Sequence, residues 1–282
     1  MLLLGTGLTA VDVVLALHEQ GHTGPVHAIS RHGLVPEVHA VLKPPSAPVE
    51  ELAERVMSDR ARELVGLSRH AVREAGELGA DWRQVIDVLR GKAQEIWLGL
   101  NDEERARFRR HAERYWNVHR HRMAPEVGSQ LDRLRDAGAF TVHSGQVVSV
   151  HAHDDELKLE VKLPNAKRSL RWRADWVVNC TGPDPDVFSG GHPLLKRLRS
   201  GGLVQPGPLG MGLATDLNGR ALDFAGDPAN WLWALGSLRQ GQLFESTAVP
   251  EIRAQARQLA LHLMEAPDGL SHVCISPKLV KV

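Results

Sequence analysis

The spacing of apolar residues defines the first elements of the chain. Leu2-Leu3-Leu4 is a short unbroken run that ends in Gly5-Thr6-Gly7. Beyond it, Val11, Val14, Leu15 and Leu17 fall near one face of a helix. Gly21 closes that helix, His22 to Gly24 turn the chain, and Val26-His27-Ala28-Ile29 reads as a second strand. Strand, glycine turn, helix, turn and strand within about thirty residues make a compact βαβ unit.

Lys43-Pro44-Pro45-Ser46-Ala47-Pro48 then forms a proline-rich linker, and residues 49–136 read as helices. Leu64, Leu67, Ala71, Ala75 and Leu78 step by three or four, as do Trp82, Val85, Ile86, Leu89, Ala93 and Trp97. Asn101 stands as an N-cap three residues before Glu104, and Pro125 opens a helix that stops at Gly138. From 139 the period becomes two. Val148/Val150, Leu157/Leu159/Val161/Leu163 and Leu170/Trp172 alternate with polar neighbours, with turns at His153-Asp154-Asp155 and Pro164-Asn165, and predict an antiparallel meander. Trp176-Val177-Val178 reads as a short buried strand ending in Asn179-Cys180-Thr181-Gly182-Pro183. The remainder is loop-rich, with one strand at Leu232-Trp233-Ala234-Leu235. One helix near 249–264 carries Ile252, Ala256, Leu259 and Leu263 as its apolar stripe.

Charge and composition narrow the function classes. Thirty-four Lys+Arg balance 34 Asp+Glu, which removes the broad basic footprint of a nucleic-acid binder. The absence of a long apolar run argues against a membrane span. Two cysteines, Cys180 and Cys274, suit a reducing compartment, and the start lacks the basic region of a secretory signal. A cytoplasmic protein is expected.

Gly5-x-Gly7-x-x-Ala10 has the form of a dinucleotide fingerprint, placed between a strand and a helix as its mechanism requires. Gly5 serves the tight turn, Gly7 the close approach of a pyrophosphate, and Ala10 the packing of helix on strand. The second strand runs into Ser30-Arg31-His32 with no acid before Glu37, which favours NADP(H) over NAD(H); the other reading of Arg31 is a solvated surface cation. Residues 105–114 read as a solvated basic helix face. Trp116, His119 and His121 either face a substrate or cofactor or are structural, with His119 or His121 the best general acid or base by its titration range. His119-x-His121 lacks nearby ligands to complete a zinc site, so no metal is expected. Cys180 reads as an inert buried cysteine, and no serine-hydrolase elbow or P-loop lysine motif is present. Thr181-Gly182 ends a strand in small residues that admit a ligand. The segment from Gly236 through Thr247 and Pro250 leads into a helix start that is either anion-binding or an ordinary cap.

Taken together, Gly5-Thr6-Gly7-Leu8-Thr9, Ser30 to Pro36, Trp116 to Arg122, Asn179 to Pro183 and Phe244 to Arg253 resemble the bacterial FAD/NAD(P)-binding oxidoreductases of the YdhS-like group, over residues 1–265. The resemblance implies an α/β flavoprotein in which a Rossmann-like NAD(P) domain is inserted within a Rossmann-like FAD domain. Residues 1–46 would be the NADP-binding βαβ unit, 47–138 a helical insertion, and 139–181 the β meander and return strand. Residues 182–282 would form the C-terminal part of the FAD-binding domain. It also implies that Gly5, Thr6, Gly7, Ala10, Ser30 and Arg31 attend NADP, that Thr181-Gly182 crosses back to the FAD domain, and that Gly236, Thr247 and Pro250 lie against the flavin. The family pattern carries a first FAD fingerprint upstream of the NAD(P) domain. The chain is therefore expected to be the C-terminal portion of such a protein, with the FAD half in an upstream extension or on a separate polypeptide. The expected function is NADPH-linked reduction of a flavin that passes electrons to oxygen or a small-molecule substrate, a monooxygenase included. The alternative is an NADP(H)-binding remnant or sensor without catalysis of its own.

Overall fold

The computed structural model describes residues 1–153, 156–164 and 169–265, which divide into two compact units. The first comprises the described residues of Met1–Val56, Val65–Leu89 and Arg107–Pro183, and the second Met57–Leu64, Arg90–Ala106 and the described residues from Asp184 on. The expected turn residues Asp154, Asp155 and Asn165 lie outside the described residues.

The first unit is built on a parallel sheet of four strands, β1 (Leu2–Leu4), β2 (Val26–Ser30), β3 (Phe140–Ser144) and β7 (Val177–Asn179), in the order β3-β2-β1-β7. Leu3 pairs with Ala28 and with Val178, and Ala28 with Val142. Successive side chains on a strand point to opposite faces, so Leu2 and Leu3 serve different cores. Leu3 and Ala28 join Ala10, Val11 and Val14 of α1 (Leu8–Glu19) and Leu131 and Leu134 of α7 (Pro125–Asp136). Leu2 and Ile29 pack against Leu159, Val161 and Ala174 of an antiparallel meander, β4 (Gln146–His153), β5 (Glu156–Lys162) and β6 (Leu170–Ala174). Helices cover one face of the sheet and the meander the other. Burying each of the leucine, isoleucine and valine side chains contributes roughly 1.5–3 kcal/mol.

The helix ends follow their local chemistry. After α1 the His22 amide donates to the Leu17 carbonyl at 2.9 Å and the Gly21 amide to His18 at 3.0 Å, with Gly21 at φ +80°. Glycine makes that left-handed closure at little steric cost. α7 ends in the same way, with Gly138 at φ +70°.

Between β2 and β3 lie α2 (Ala47–Glu54), α3 (Ala61–Glu77), α4 (Trp82–Gly99), α5 (Asp102–His111), α6 (Glu113–Arg120) and α7. The helical reading of 49–136 holds, with α2 beginning inside the expected proline-rich linker. Asn101 Oδ1 accepts from the Glu104 amide at 3.0 Å, the expected N-cap. The Glu104 carboxylate accepts from the Ala61 amide at 2.8 Å at the start of α3.

Three details depart from the sequence reading. Phe140–Ser144 is the outer strand of the parallel sheet, and the meander starts only at Gln146. Trp176 precedes β7 and is 68 % exposed, while Val177 and Val178 are half-buried. On α9 (Val249–Glu265) the expected apolar stripe is covered only in its second half: Leu259 and Leu263 are half-buried, Ile252 and Ala256 are exposed, and the buried residue is Gln255.

The second unit holds α8 (Pro193–Ser200), the antiparallel pair β8 (Arg220–Leu222) and β9 (Pro228–Trp233), and α9. β9 ends before the expected Ala234-Leu235, and Ala234 instead enters the core with Phe188, Leu198, Val204, Leu213 and Ala221. Trp97, 2 % exposed, stacks on Phe244 at 4.9 Å and donates its indole N–H to the Gly241 carbonyl at 3.0 Å.

Candidate functional site

The order β3-β2-β1-β7 has its reversal between β1 and β7. The chain leaves β1 toward β2 on one side and later returns to β7 on the other. In open parallel sheets, ligands bind in the crevice beyond the carboxyl ends of two such strands. Here that crevice is lined by Gly5-Thr6-Gly7 and Cys180-Thr181-Gly182.

Gly5 cannot be any other residue without a local shift. It sits at φ +104°, and a Cβ built on it would stand 2.6 Å from the Cys180 carbonyl oxygen. The loop is drawn in by Gly5 N–H donating to Ile29 at 2.8 Å and Cys180 N–H to Leu4 at 2.8 Å. Gly7 is the opposite case. It is the N-cap of α1, it makes no side-chain cap, and nothing lies within 4 Å of where its Cβ would be. The start of α1 therefore opens onto free space, where amide N–H groups and the helix dipole favour an anion. Ala10 is 1 % exposed and packs in the sheet–helix core.

Thr6 and Ser30 are braces. The Thr6 hydroxyl is hydrogen-bonded with Ser30 Oγ at 2.9 Å and donates to the Leu34 carbonyl, while Ser30 Oγ also accepts from the Gly33 amide at 3.0 Å. They tie the glycine loop to the exit of β2. Arg31 follows and is exposed, its carbonyl accepting from Ser144 Oγ at 3.1 Å.

A carboxylate that sequence reasoning missed lies in this neighbourhood. Glu113 begins α6, its Oε2 3.4 Å from Arg109 Nε. Burial pushes its carboxyl up, against the pull of Arg109 and Arg31. The segment after β2 brings α6 alongside: Glu37 N–H donates to Val118 at 2.9 Å, Met123 N–H to Glu37 at 2.7 Å and His39 N–H to Met123 at 2.8 Å. His32 is held below the ordinary imidazole value by burial, Arg114 and Arg31. No local pattern signals this contact, because Arg31 and Glu113 are separated by four helices.

The structure gives His119 a packed environment. Its Nδ1 lies 2.7 Å from the Tyr115 carbonyl, which fixes the proton on that nitrogen, and its ring meets Trp82 edge-on at 4.9 Å. His121 is the C-cap of α6, its amide donating to Asn117 at 2.8 Å, and Trp116 is half-buried. Among the described residues no group of three His, Cys, Asp or Glu could hold a metal ion. At the end of β7, Asn179 Oδ1 accepts from the Thr181 amide at 3.1 Å and its hydroxyl at 2.7 Å, and Gly182 turns at φ +83°. Cys180 is buried and burial pushes its thiol up, so it is not set up as a nucleophile.

In the second unit Gly236, at φ +64°, donates its amide to Gln255 Oε1 at 3.0 Å, both residues being buried. α9 begins at Val249 with Pro250 in its first turn, and its first bond runs from Ile252 N–H to the Ala248 carbonyl at 3.0 Å. Thr247 is exposed and precedes the helix. Beside it, Ser246 is fully buried and its hydroxyl has no hydrogen-bond partner. A buried orphan hydroxyl is uncommon and calls for an explanation. Among the described residues no helix is long and apolar enough to cross a membrane.

No protein-family model matches the chain, and no curated protein matches it in sequence. Solved structures do. An ornithine N-hydroxylase from Kutzneria sp. 744, described with reduced FAD, NADP+ and L-ornithine, matches with a TM-score of 0.55 at 15% identity, covering 93% of this chain and 52% of its own. L-lysine 6-monooxygenase from Pseudomonas syringae matches with a TM-score of 0.57 at 16% identity, again over 93% and 52%. An FAD-bound cadaverine monooxygenase from Erwinia amylovora matches with a TM-score of 0.52 at 12% identity, over 93% and 50%. The chain therefore spans about half the length of the structures it resembles, and what it shares with them at these identities is the Rossmann-like α/β fold.

Proposed function

We propose that this chain is the NADP(H)-binding and C-terminal portion of a flavin-dependent oxidoreductase, of the monooxygenase kind its structural neighbours represent and of the YdhS-like group its motifs resemble. The observation that carries this reading is the pairing of Gly5 and Gly7 at the β1/β7 switch point. One glycine is required by the Cys180 carbonyl, and the other leaves the start of α1 open where a ligand's phosphate would meet it.

In this reading Gly7 and the α1 start receive the pyrophosphate, Ala10 lets the helix lie close to the sheet, and Thr6 with Ser30 holds the loop in register. Arg31 takes the 2′-phosphate as a charge-assisted partner. Bound NADPH supplies a hydride and bound FAD carries the electrons to oxygen or a small-molecule substrate. Toward FAD, Gly236 contributes a left-handed turn, its amide being committed to Gln255, and Ser246 a buried hydroxyl in want of a partner. Thr181-Gly182 leads the chain out of the first unit. His119, its Nδ1 donating to the Tyr115 carbonyl, is the candidate imidazole for proton transfer. The setting is a reducing cytoplasm, with the FAD half supplied upstream or by a second polypeptide.

The test is calorimetric titration of the purified chain with NADPH and NADH, alongside its visible spectrum with and without added FAD. NADPH binding with a flavin band supports the oxidoreductase. NADPH binding by a chain that stays colourless with FAD supports a nucleotide sensor instead. No binding of either dinucleotide contradicts the site. Arg31→Gln is expected to weaken NADPH about tenfold and NADH little; equal losses would remove the assignment of Arg31.

A further inference from the structure

The two edges of the meander are not alike. β6 forms one edge, with Arg171 and Arg173 exposed on it. β4 forms the other, and its eight residues, Gln146–His153, include no Lys, Arg, Asp, Glu or Pro. Among the described residues no further strand pairs with β4, and none of its own residues is buried. A strand edge offers backbone donors and acceptors to any other extended chain, and natural sheets blunt such edges with charge, proline or a bulge. β6 has the charge. β4 has a bulge, but it falls between Val147 and Ser149, and the register with β5 is regular from Ser149 to His153.

That regular stretch suits a second copy of itself. Val150 lies opposite Leu159, which packs against the parallel sheet, yet Val150 stays 41 % exposed. His151, the next residue, points to the other face, is exposed and lies opposite Lys158. In an antiparallel pair opposite residues share a face, and a two-fold axis sets the central residue against its own copy. The centre of Ser149–His153 is His151. Pairing about it sets Val150 against Ala152 on the inner face and brings no Lys, Arg, Asp or Glu of β4 against another. The same operation on β6 would set Arg171 against Arg173, a like-charge contact that disfavours it.

We propose that β4 is an interaction edge for a second copy of this chain, the two β4 strands pairing antiparallel about His151 into one continuous sheet. The contact is strand addition, carried mainly by the main chain. It is small, so the dimer is a weak one that dissociates on dilution. It does not depend on the dinucleotide reading of the glycine crevice.

Sedimentation velocity of the purified chain over a dilution series measures the association, and hydrogen exchange of the β4 amides shows where it occurs. Wild type is expected to be dimeric when concentrated and monomeric on dilution, with β4 amides exchanging more slowly in the concentrated sample. His151→Lys and His151→Glu, both on the exposed face, are each expected to weaken association about tenfold by setting like charges against one another. An equal mixture of the two variants is expected to recover it, and Arg171→Gln on β6 to leave it unchanged. A wild-type chain that is monomeric at every concentration overturns the proposal. So does β4 protection that ignores concentration, which would mean a different occupant of the edge. Association that survives in each His151 variant alone and gains nothing on mixing places the contact elsewhere and overturns it as well.

Discussion

Gly5 and Gly236 both turn the chain at positive φ, and each starts a loop that leads to a helix, yet the two are held for different reasons. At Gly5 conformation and space act together, with φ +104° and the Cys180 oxygen 2.6 Å from any Cβ. At Gly236 a Cβ would meet ordinary contacts, none closer than 3.7 Å to Ile252, and the turn is fixed by a hydrogen bond from its amide to Gln255. The first turn is a steric lock whose neighbouring helix start stays open, and the second is a polar lock that consumes its own donor. An open helix start beside a rigid loop is what a phosphate needs. In the second unit the turn's amide is consumed by Gln255, and the unpartnered donor there is the Ser246 hydroxyl.

The larger loss is expected at Gly5. Gly5→Ala is expected to destabilise the chain by about 3 kcal/mol, combining left-handed strain with the clash on Cys180. Gly236→Ala is expected to cost about 1 kcal/mol, from strain alone. Urea unfolding of the two variants measures the gap, and equal losses would mean that the Cys180 contact relaxes away. Gln255→Leu, which leaves the Gly236 amide buried and unpaired, is expected to fall between them at about 2 kcal/mol.

A smaller effect concerns pH. His27 on β2 and His143 on β3 face the meander with His27 Nδ1 3.2 Å from His143 Nε2, and Trp172 of β6 closes edge-on against His143 at 4.8 Å. Burial lowers both imidazoles, and for His27 the His143 ring and the N-terminal ammonium add to it. Depressed in the fold, the pair is neutral there, so the unfolded chain binds more protons as pH falls through the ordinary imidazole range near 6.5. Stability present above that range is lost below it. The urea midpoint is expected to drop between pH 7.5 and 5.5, and to drop less in His143→Phe.

Elements whose cause is local could be read from the sequence. The βαβ unit followed from one glycine turn and two periods, the Asn101 cap from one side chain, and the meander from alternation along each strand. What escaped depends on partners distant in the chain. Phe140–Ser144 carries the same alternation whether it enters a meander or pairs with β2, and only the sheet order distinguishes the two. The residue types of α9 marked Leu259 and Leu263, which are half-buried, but not Gln255, whose burial depends on its bond to Gly236. Gly5, Gly7 and Ala10 declared themselves by spacing. Glu113 could not, because it comes under the influence of Arg31 only through backbone pairing of Glu37–His39 with Val118–Met123.

Dinucleotide binding in the crevice depends on the open space at Gly7. Gly7 has φ −79° and ψ −171°, extended backbone that any residue adopts, and Asp is among the best N-caps. Gly7→Asp is therefore expected to fold with unchanged or slightly raised melting temperature while placing a carboxylate where the pyrophosphate should lie. Calorimetry with NADPH on that variant is expected to show affinity reduced by a hundredfold or more, a loss of about 2.7 kcal/mol. A folded Gly7→Asp protein that binds NADPH as tightly as wild type would contradict the site.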